Sequence, residues 1–133
     1  MKYSMKIEKD MACAWGTFPI SYKHALVVAR KINRKRLPIA KKFLDAIVAK
    51  KMSINGKYYT NACKKIINLI KNVETNATAK NLDPLEMMLF ISVNKGPTMY
   101  RSRRKREYGL RLRRTNMQAI LKPIKSEKNK SDQ

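Results

Sequence analysis

The chain has 133 residues, room for one domain with a real core, and 44% of them are hydrophobic, which excludes wholesale disorder. Against 9 Asp and Glu stand 31 Lys and Arg, a formal net charge of +22, so a compact form of this chain repels itself and gains from a polyanionic partner. Cys13 and Cys63 form no CxxC pair and His24 is the one histidine, which excludes a structural zinc site and leaves metal, cofactor and catalytic residues at none.

Residues 2–7 alternate, with Tyr3, Met5 and Ile7 facing one way, and predict a short half-buried strand. Met11 to Pro19 reads as a connector ending in the aromatic turn Trp15-Gly16-Thr17-Phe18-Pro19. Ser21 is placed to cap a first helix, in which Tyr22, Ala25, Leu26, Ala29 and Ile32 recur at helical spacing. The run Arg34-Lys35-Arg36 closes it, where cations suit the negative end of the helix dipole. Pro38 opens a second helix whose apolar face is Ile39, Ala40, Phe43, Leu44, Ile47 and Val48, and Asn55-Gly56 marks a turn. A third helix runs from about Thr60 to Lys80, with Ala62, Ile66, Leu69, Ile70, Val73 and Ala77 as its stripe and Asn81 as a left-handed stop before Asp83-Pro84. From Met87 the period becomes two, Leu89, Ile91 and Val93 sharing a face, and a further strand follows at about 116–122.

The fold class expected is α+β: three helices packed on a small three-stranded antiparallel sheet, with a long basic β-hairpin projecting from it. Residues 1–122 form a single domain that includes the hairpin over 95–115, and 123–133 a flexible charged tail. Met1 to Lys6 lacks the apolar run of a signal peptide, and no stretch approaches the roughly 20 apolar residues of a membrane span, so a cytoplasmic protein without membrane insertion is expected.

The segment from Lys95 to Arg114 does not belong to a core. It holds Lys95, Arg101, Arg103, Arg104, Lys105, Arg106, Arg111, Arg113 and Arg114 against the single acid Glu107. Loops this long inside a compact domain are uncommon and tend to be functional. Continued as strands, arms of about ten residues would reach roughly 33 Å at about 3.3 Å per residue, with the tip near Arg104 to Gly109. Seven of the nine cations are arginine, whose guanidinium grips phosphate bidentately and stacks on bases. Tyr100 and Tyr108 add rings on which an unpaired base can stack, and Met99 at the hairpin root can pack against RNA or a neighbouring protein.

The run Ile91-Ser92-Val93-Asn94-Lys95-Gly96-Pro97-Thr98-Met99, the arginine-rich stretch with Gly109, and Arg113-Arg114-Thr115-Asn116-Met117 resemble the universal large-subunit ribosomal protein family twenty-two, called seventeen in eukaryotes. Asn72-Val73-Glu74-Thr75-Asn76-Ala77 with Lys80-Asn81-Leu82-Asp83 is also similar to that family, and so is the opening Lys2-Tyr3-Ser4, which looks like its archaeal and eukaryotic branch. The resemblance covers about residues 1–122. It implies a small α+β domain on the outer surface of the large ribosomal subunit and a hairpin that helps line the nascent-peptide tunnel. The partners implied are large-subunit rRNA, neighbouring ribosomal proteins and the nascent polypeptide at the tip, with support for subunit assembly, no catalysis and no homo-oligomer. The chain departs from that branch in two places: only Met52 to Tyr59 joins the second and third helices, where relatives carry a longer basic and aromatic insertion, and Glu107 and Tyr108 stand in a stretch that is often small and basic.

Other cations complete the candidate RNA-binding set: Lys23, His24 and the run Arg34, Lys35, Arg36. Trp15 is read as an anchor for its connector and, alternatively, as a stacking surface for RNA. A lone histidine suits a surface or RNA-contacting role better than catalysis, and Asp45 and Glu74 suit ion pairs among lysines. The rival reading is a basic module that binds or compacts DNA with a helix in a groove; it does not account for an arginine-rich segment held between two strands. A nuclease would need clustered carboxylates or a histidine pair, and a membrane-active cationic protein would not keep its apolar residues at core spacings.

Overall fold

The computed structural model describes residues 3–103 and 106–124. Strands β1 (Ala12–Phe18), β2 (Lys35–Arg36), β3 (Met87–Lys95) and β6 (Thr115–Pro123) make one antiparallel sheet in the order β1-β6-β3-β2. Helices α1 (Tyr22–Ile32), α2 (Leu37–Val48) and α3 (Thr60–Ala79) cover one face of it. Between β3 and β6 the chain leaves the sheet as a hairpin with its own short ladder, β4 (Met99–Tyr100) against β5 (Arg111–Leu112).

The core follows from the two periodicities. The stripe Ala62, Ile66, Leu69, Ile70, Val73 and Ala77 of α3 is buried against the sheet positions Leu89, Ile91, Met117, Ala119 and Leu121. Each fully buried aliphatic side chain of that size stabilises the fold by about 1.5–3 kcal/mol relative to exposure. On β1 the inward residues Ala12 and Ala14 are small, which lets α3 lie close over the sheet edge. Polar bonds then fix its position: Asn76 Nδ2 donates to the Cys13 carbonyl at 2.8 Å and Lys80 Nζ to the Met11 carbonyl at 2.9 Å. Glu74 pairs with Lys41 of α2, as expected of an acid among lysines.

Helix ends lie where the punctuation residues predict. Asn81 takes φ +57° and ends α3, and Asp83 accepts from the Leu85 amide at 3.0 Å in the 3₁₀ turn Pro84–Glu86 that leads into β3. Asn55 and Gly56, at φ +51° and +76°, close a tight turn across which Ile54 and Lys57 pair. Ser21 stands at the N-cap of α1, but its side chain makes no capping bond.

Four expectations need correction. Residues 3–8 form no strand; the fourth sheet strand is β1, within the stretch read as a connector, so the main sheet has four strands rather than three. The alternation near the terminus is nonetheless real, because Tyr3, Met5 and Ile7 are half-buried while Ser4 and Lys6 are exposed. That segment meets the helix-free face of the sheet, where the Ser4 amide donates to Gln118 Oε1 at 3.1 Å, and Gln118 and Ile120 are buried as well as the helix-facing residues. Arg34-Lys35-Arg36 does more than end α1: Arg34 turns with φ +61°, and Lys35 and Arg36 pair with Leu89 and Met88 as β2. Ile39 is 53% exposed and lies off the buried stripe of α2, whose first buried residue is Leu37.

Candidate nucleic-acid interface

The hairpin starts from a rigid base. Lys95 and Thr115 are the last pair of the β3–β6 ladder, and the buried Thr115 hydroxyl donates to the Ile20 carbonyl at 2.8 Å, tying this root to the chain entering α1. The ladder then breaks. Three residues, Gly96, Pro97 and Thr98, separate it from the next pair on the outgoing side, and two, Arg113 and Arg114, on the return side. Proline has no amide to donate, and the unequal count makes the break a one-residue offset of the bulge kind. Gly96 donates to the Arg114 carbonyl at 2.9 Å, so closely that a Cβ on Gly96 would stand 2.8 Å from that oxygen. Only glycine fits there.

Beyond the break Met99 pairs with Leu112, Tyr100 with Arg111, and the Arg101 amide donates to the Leu110 carbonyl at 3.1 Å. Alternation sorts these side chains: Met99, Leu112 and Leu110 share one face, and Tyr100 and Arg111 the other. The outer loop is closed by an ion pair between Arg101 and Glu107 and by a turn in which Gly109 takes φ +77°. Tyr100 and Tyr108 are each 61% exposed, so both rings are open to a stacking partner. Arg103 and Arg106 are exposed; Arg104 and Lys105 lie outside the described residues. Among the described residues the arms do not continue as ten-residue strands, since strand pairing beyond the break covers two residues on each side.

At the hairpin root lies a cleft of about 300 Å³, lined by Ser21, Tyr22, Lys23, Lys95, Gly96, Thr98, Arg111, Arg113 and Arg114. Five of these are cations and none is acidic, and the first turn of α1 also lacks an acid. Lys95 Nζ lies 5.9 Å from the centre of the Tyr22 ring. The fold thus joins Lys23, which the charge pattern placed among the helix lysines, to the arginines of the hairpin.

Other candidates stand apart. His24, one residue on, turns to a second concavity of about 300 Å³ at the start of α3, with Lys57, Tyr59, Thr60, Asn61 and Ala62; its ring lies 5.0 Å from that of Tyr59. Lys35 Nζ sits 5.0 Å from the centre of the Phe43 ring, while Arg34 and Arg36 are exposed. Lys35 pairs with Leu89, six residues before Lys95, so this run is about 20 Å along β3 from the hairpin root at about 3.3 Å per residue. Trp15 is 52% exposed on β1 and pairs with Gln118; it is not a buried anchor, and by alternation it belongs to the helix-free face. Tyr22, Thr98 and Lys57 were not among the candidates. The triple Lys57-Tyr58-Tyr59, basic then aromatic, was the available signal for Lys57, whereas Tyr22 and Thr98 carry no local one.

Two groups are shifted by their surroundings. Burial, with a hydrogen bond to Cys13, raises the Tyr3 hydroxyl to about 12, and burial raises the Cys63 thiol to about 11. Neither belongs to the basic surface. Among the described residues no group of His, Cys, Asp and Glu is placed to hold a metal ion, and no helix is long and apolar enough to cross a membrane.

Comparison with known proteins gives one consistent answer. The family model described as ribosomal protein L22p/L17e matches residues 16–122. Three archaeal proteins named large ribosomal subunit protein uL22 are similar over most of that length. The one from Nanoarchaeum equitans is 27% identical, covering 86% of this chain and 78% of its own. That of Methanocaldococcus jannaschii is 28% identical over 76% of this chain and 79% of its own. That of Archaeoglobus fulgidus is 31% identical over 61% and 65%.

Proposed function

The chain belongs to the ribosomal protein L22p/L17e family, and on that premise we propose that it binds large-subunit rRNA through its hairpin and the cleft at the hairpin root. The family is one of structural proteins, so the chain is a non-enzymatic component of the large ribosomal subunit and works in the cytoplasm.

One observation carries the RNA reading. Cations from three separate stretches, Lys23, Lys95 and Arg111 to Arg114, converge on one cleft free of acids, and an arginine-rich loop with two open tyrosine rings extends from it. Phosphate contacts from these groups supply most of the affinity, while Tyr100, Tyr108 and the arginine planes stack on unpaired bases. Met99, Leu110 and Leu112, exposed on the other hairpin face, meet neighbouring ribosomal proteins or RNA sugars. Trp15, His24 and Arg34 to Arg36 make further rRNA contacts away from the hairpin. The outer loop, from Arg103 to Arg111, reaches the nascent-peptide tunnel and passes the growing chain, and the whole arrangement holds rRNA segments together during assembly.

The test is sedimentation of tagged protein from a lysate through a sucrose gradient, followed by a high-salt wash. Co-migration with large subunits that survives the wash is expected of a hairpin embedded in RNA. Recovery only at the top of the gradient, or release by moderate salt, would leave a free electrostatic binder of nucleic acid, whose log K falls by about 0.7–0.9 per phosphate contact for each tenfold rise in salt.

A further inference from the structure

The root cleft spans the break in the ladder. Tyr22, Lys23 and Lys95 belong to the body, where the sheet and α1 are fixed by the core; Thr98, Arg113 and Arg114 lie within the break and Arg111 beyond it. Within the break the backbone is held by the bond from Gly96 to Arg114. Cations therefore face one another across the weakest point of the hairpin. Like charges lining one cleft repel. An anion seated among them would offset that repulsion.

We propose that this cleft is a seat for a backbone phosphate of single-stranded RNA, and that the bound phosphate locks the angle of the hairpin against the body. The inference rests on the rRNA-binding reading above and adds to it one site and one mechanical consequence. The ligand class follows from the cleft. At about 300 Å³ it lies at the small end of the range for small-molecule sites, enough for one phosphate with its sugar but not for a duplex, whose phosphates are fixed on a convex surface. The Tyr22 ring, beside Lys95, offers an apolar wall to a ribose or base next to that phosphate. Lys23 is the decisive residue, because it stands on α1 and so can influence the hairpin only across the cleft.

The experiment is ¹⁵N relaxation of the full chain, read at the amides of Met99, Tyr100, Arg111 and Leu112, with a short single-stranded uridine RNA, the same length of RNA duplex, or inorganic phosphate added. The single strand is expected to rigidify these amides in the wild-type protein and the duplex to leave them mobile. In Lys23→Ala the same RNA should leave them mobile too, and the salt slope of its binding should fall by about 0.7, the value of one single-strand contact. Arg113→Ala should behave alike, and thermal melts check that both exposed substitutions leave the body folded. Equal rigidification in Lys23→Ala would overturn the lock, because the hairpin would then be ordered by its own contacts. Rigidification by inorganic phosphate at matched concentration would overturn the RNA assignment. Sedimentation separates the two readings: a wild-type protein absent from large subunits removes the rRNA reading, whereas one present there with a mobile hairpin in RNA removes the cleft alone.

Discussion

The body and the hairpin of this chain are held by different physics. The body buries whole side chains: seven positions of α3, four of α2 and four of α1 are removed from water against one sheet face. Between Gly96 and Arg114 no described residue is buried at all. Among its described residues the hairpin has two ladder pairs, one ion pair and a turn, and an isolated two-stranded ribbon of that kind is marginal in water. The body is therefore specified by its own sequence, and the hairpin is shaped to be finished by something else. Its high charge sets what that partner must be.

The contrast can be broken from the body side. Ile66→Ala, in the centre of the α3 stripe, is expected to cost about 2–5 kcal/mol in urea unfolding through lost burial and a residual cavity. A loss below 1 kcal/mol would mean the core around α3 is looser than described. At the junction, Gly96→Ala places a Cβ against the Arg114 backbone, which cannot swing aside as a side chain would. A cost of about 1–3 kcal/mol is expected, as for overpacking, with faster hydrogen exchange at the Gly96 amide. Unchanged exchange there would show that the close approach is not maintained.

Alkaline pH probes the body through Cys63. Its thiol titrates near 9.0 when unfolded and about 11 when folded. The folded state then holds the proton over that interval, so stability is full below pH 9 and falls as pH rises toward 11. The slope is at most about 1.4 kcal/mol per pH unit for one such group. In Cys63→Ala this portion of the loss should vanish, and an identical pH profile for the variant would assign the loss elsewhere. The smallest effect is expected at the hairpin. Glu107→Gln removes the Arg101 pair, exposed to solvent, and should shift stability by no more than about 1 kcal/mol while strengthening RNA binding, since one acid leaves a cationic loop. A large drop in melting temperature would show the loop to be part of the cooperative unit.

The elements most legible in the sequence were those with strong period. α3 was bounded to within one residue because its aliphatic stripe and Asn81 agree, and β3 and β6 because bulky side chains alternate. β1 was missed because its inward positions are Ala12 and Ala14, too small to register as an apolar face. The terminal segment misled for the opposite reason: Tyr3, Met5 and Ile7 alternate against a face of the sheet without joining its ladder. The charge of the hairpin was plain, whereas the cleft at its root was not, since Lys23, Lys95 and Arg113 come together only through the fold. Sequence also gave no means to separate Lys23 from His24, neighbours that serve different concavities.

The offset at Gly96 to Thr98 has a consequence for how this chain tolerates change in length. Had the ladder run on without it, Met99 would face Arg111 and Tyr100 would face Leu110, setting an oily side chain against a charged one in the first of these pairs. With it, Met99 meets Leu112 and Tyr100 meets Arg111, so the two ladder pairs set Met99 with Leu112 on one side and Tyr100 with Arg111 on the other. Insertions in the outer loop leave that sorting intact. A single residue gained or lost at the break shifts the pairing beyond it and changes which side chains share a side, whereas a change of length at the tip does not.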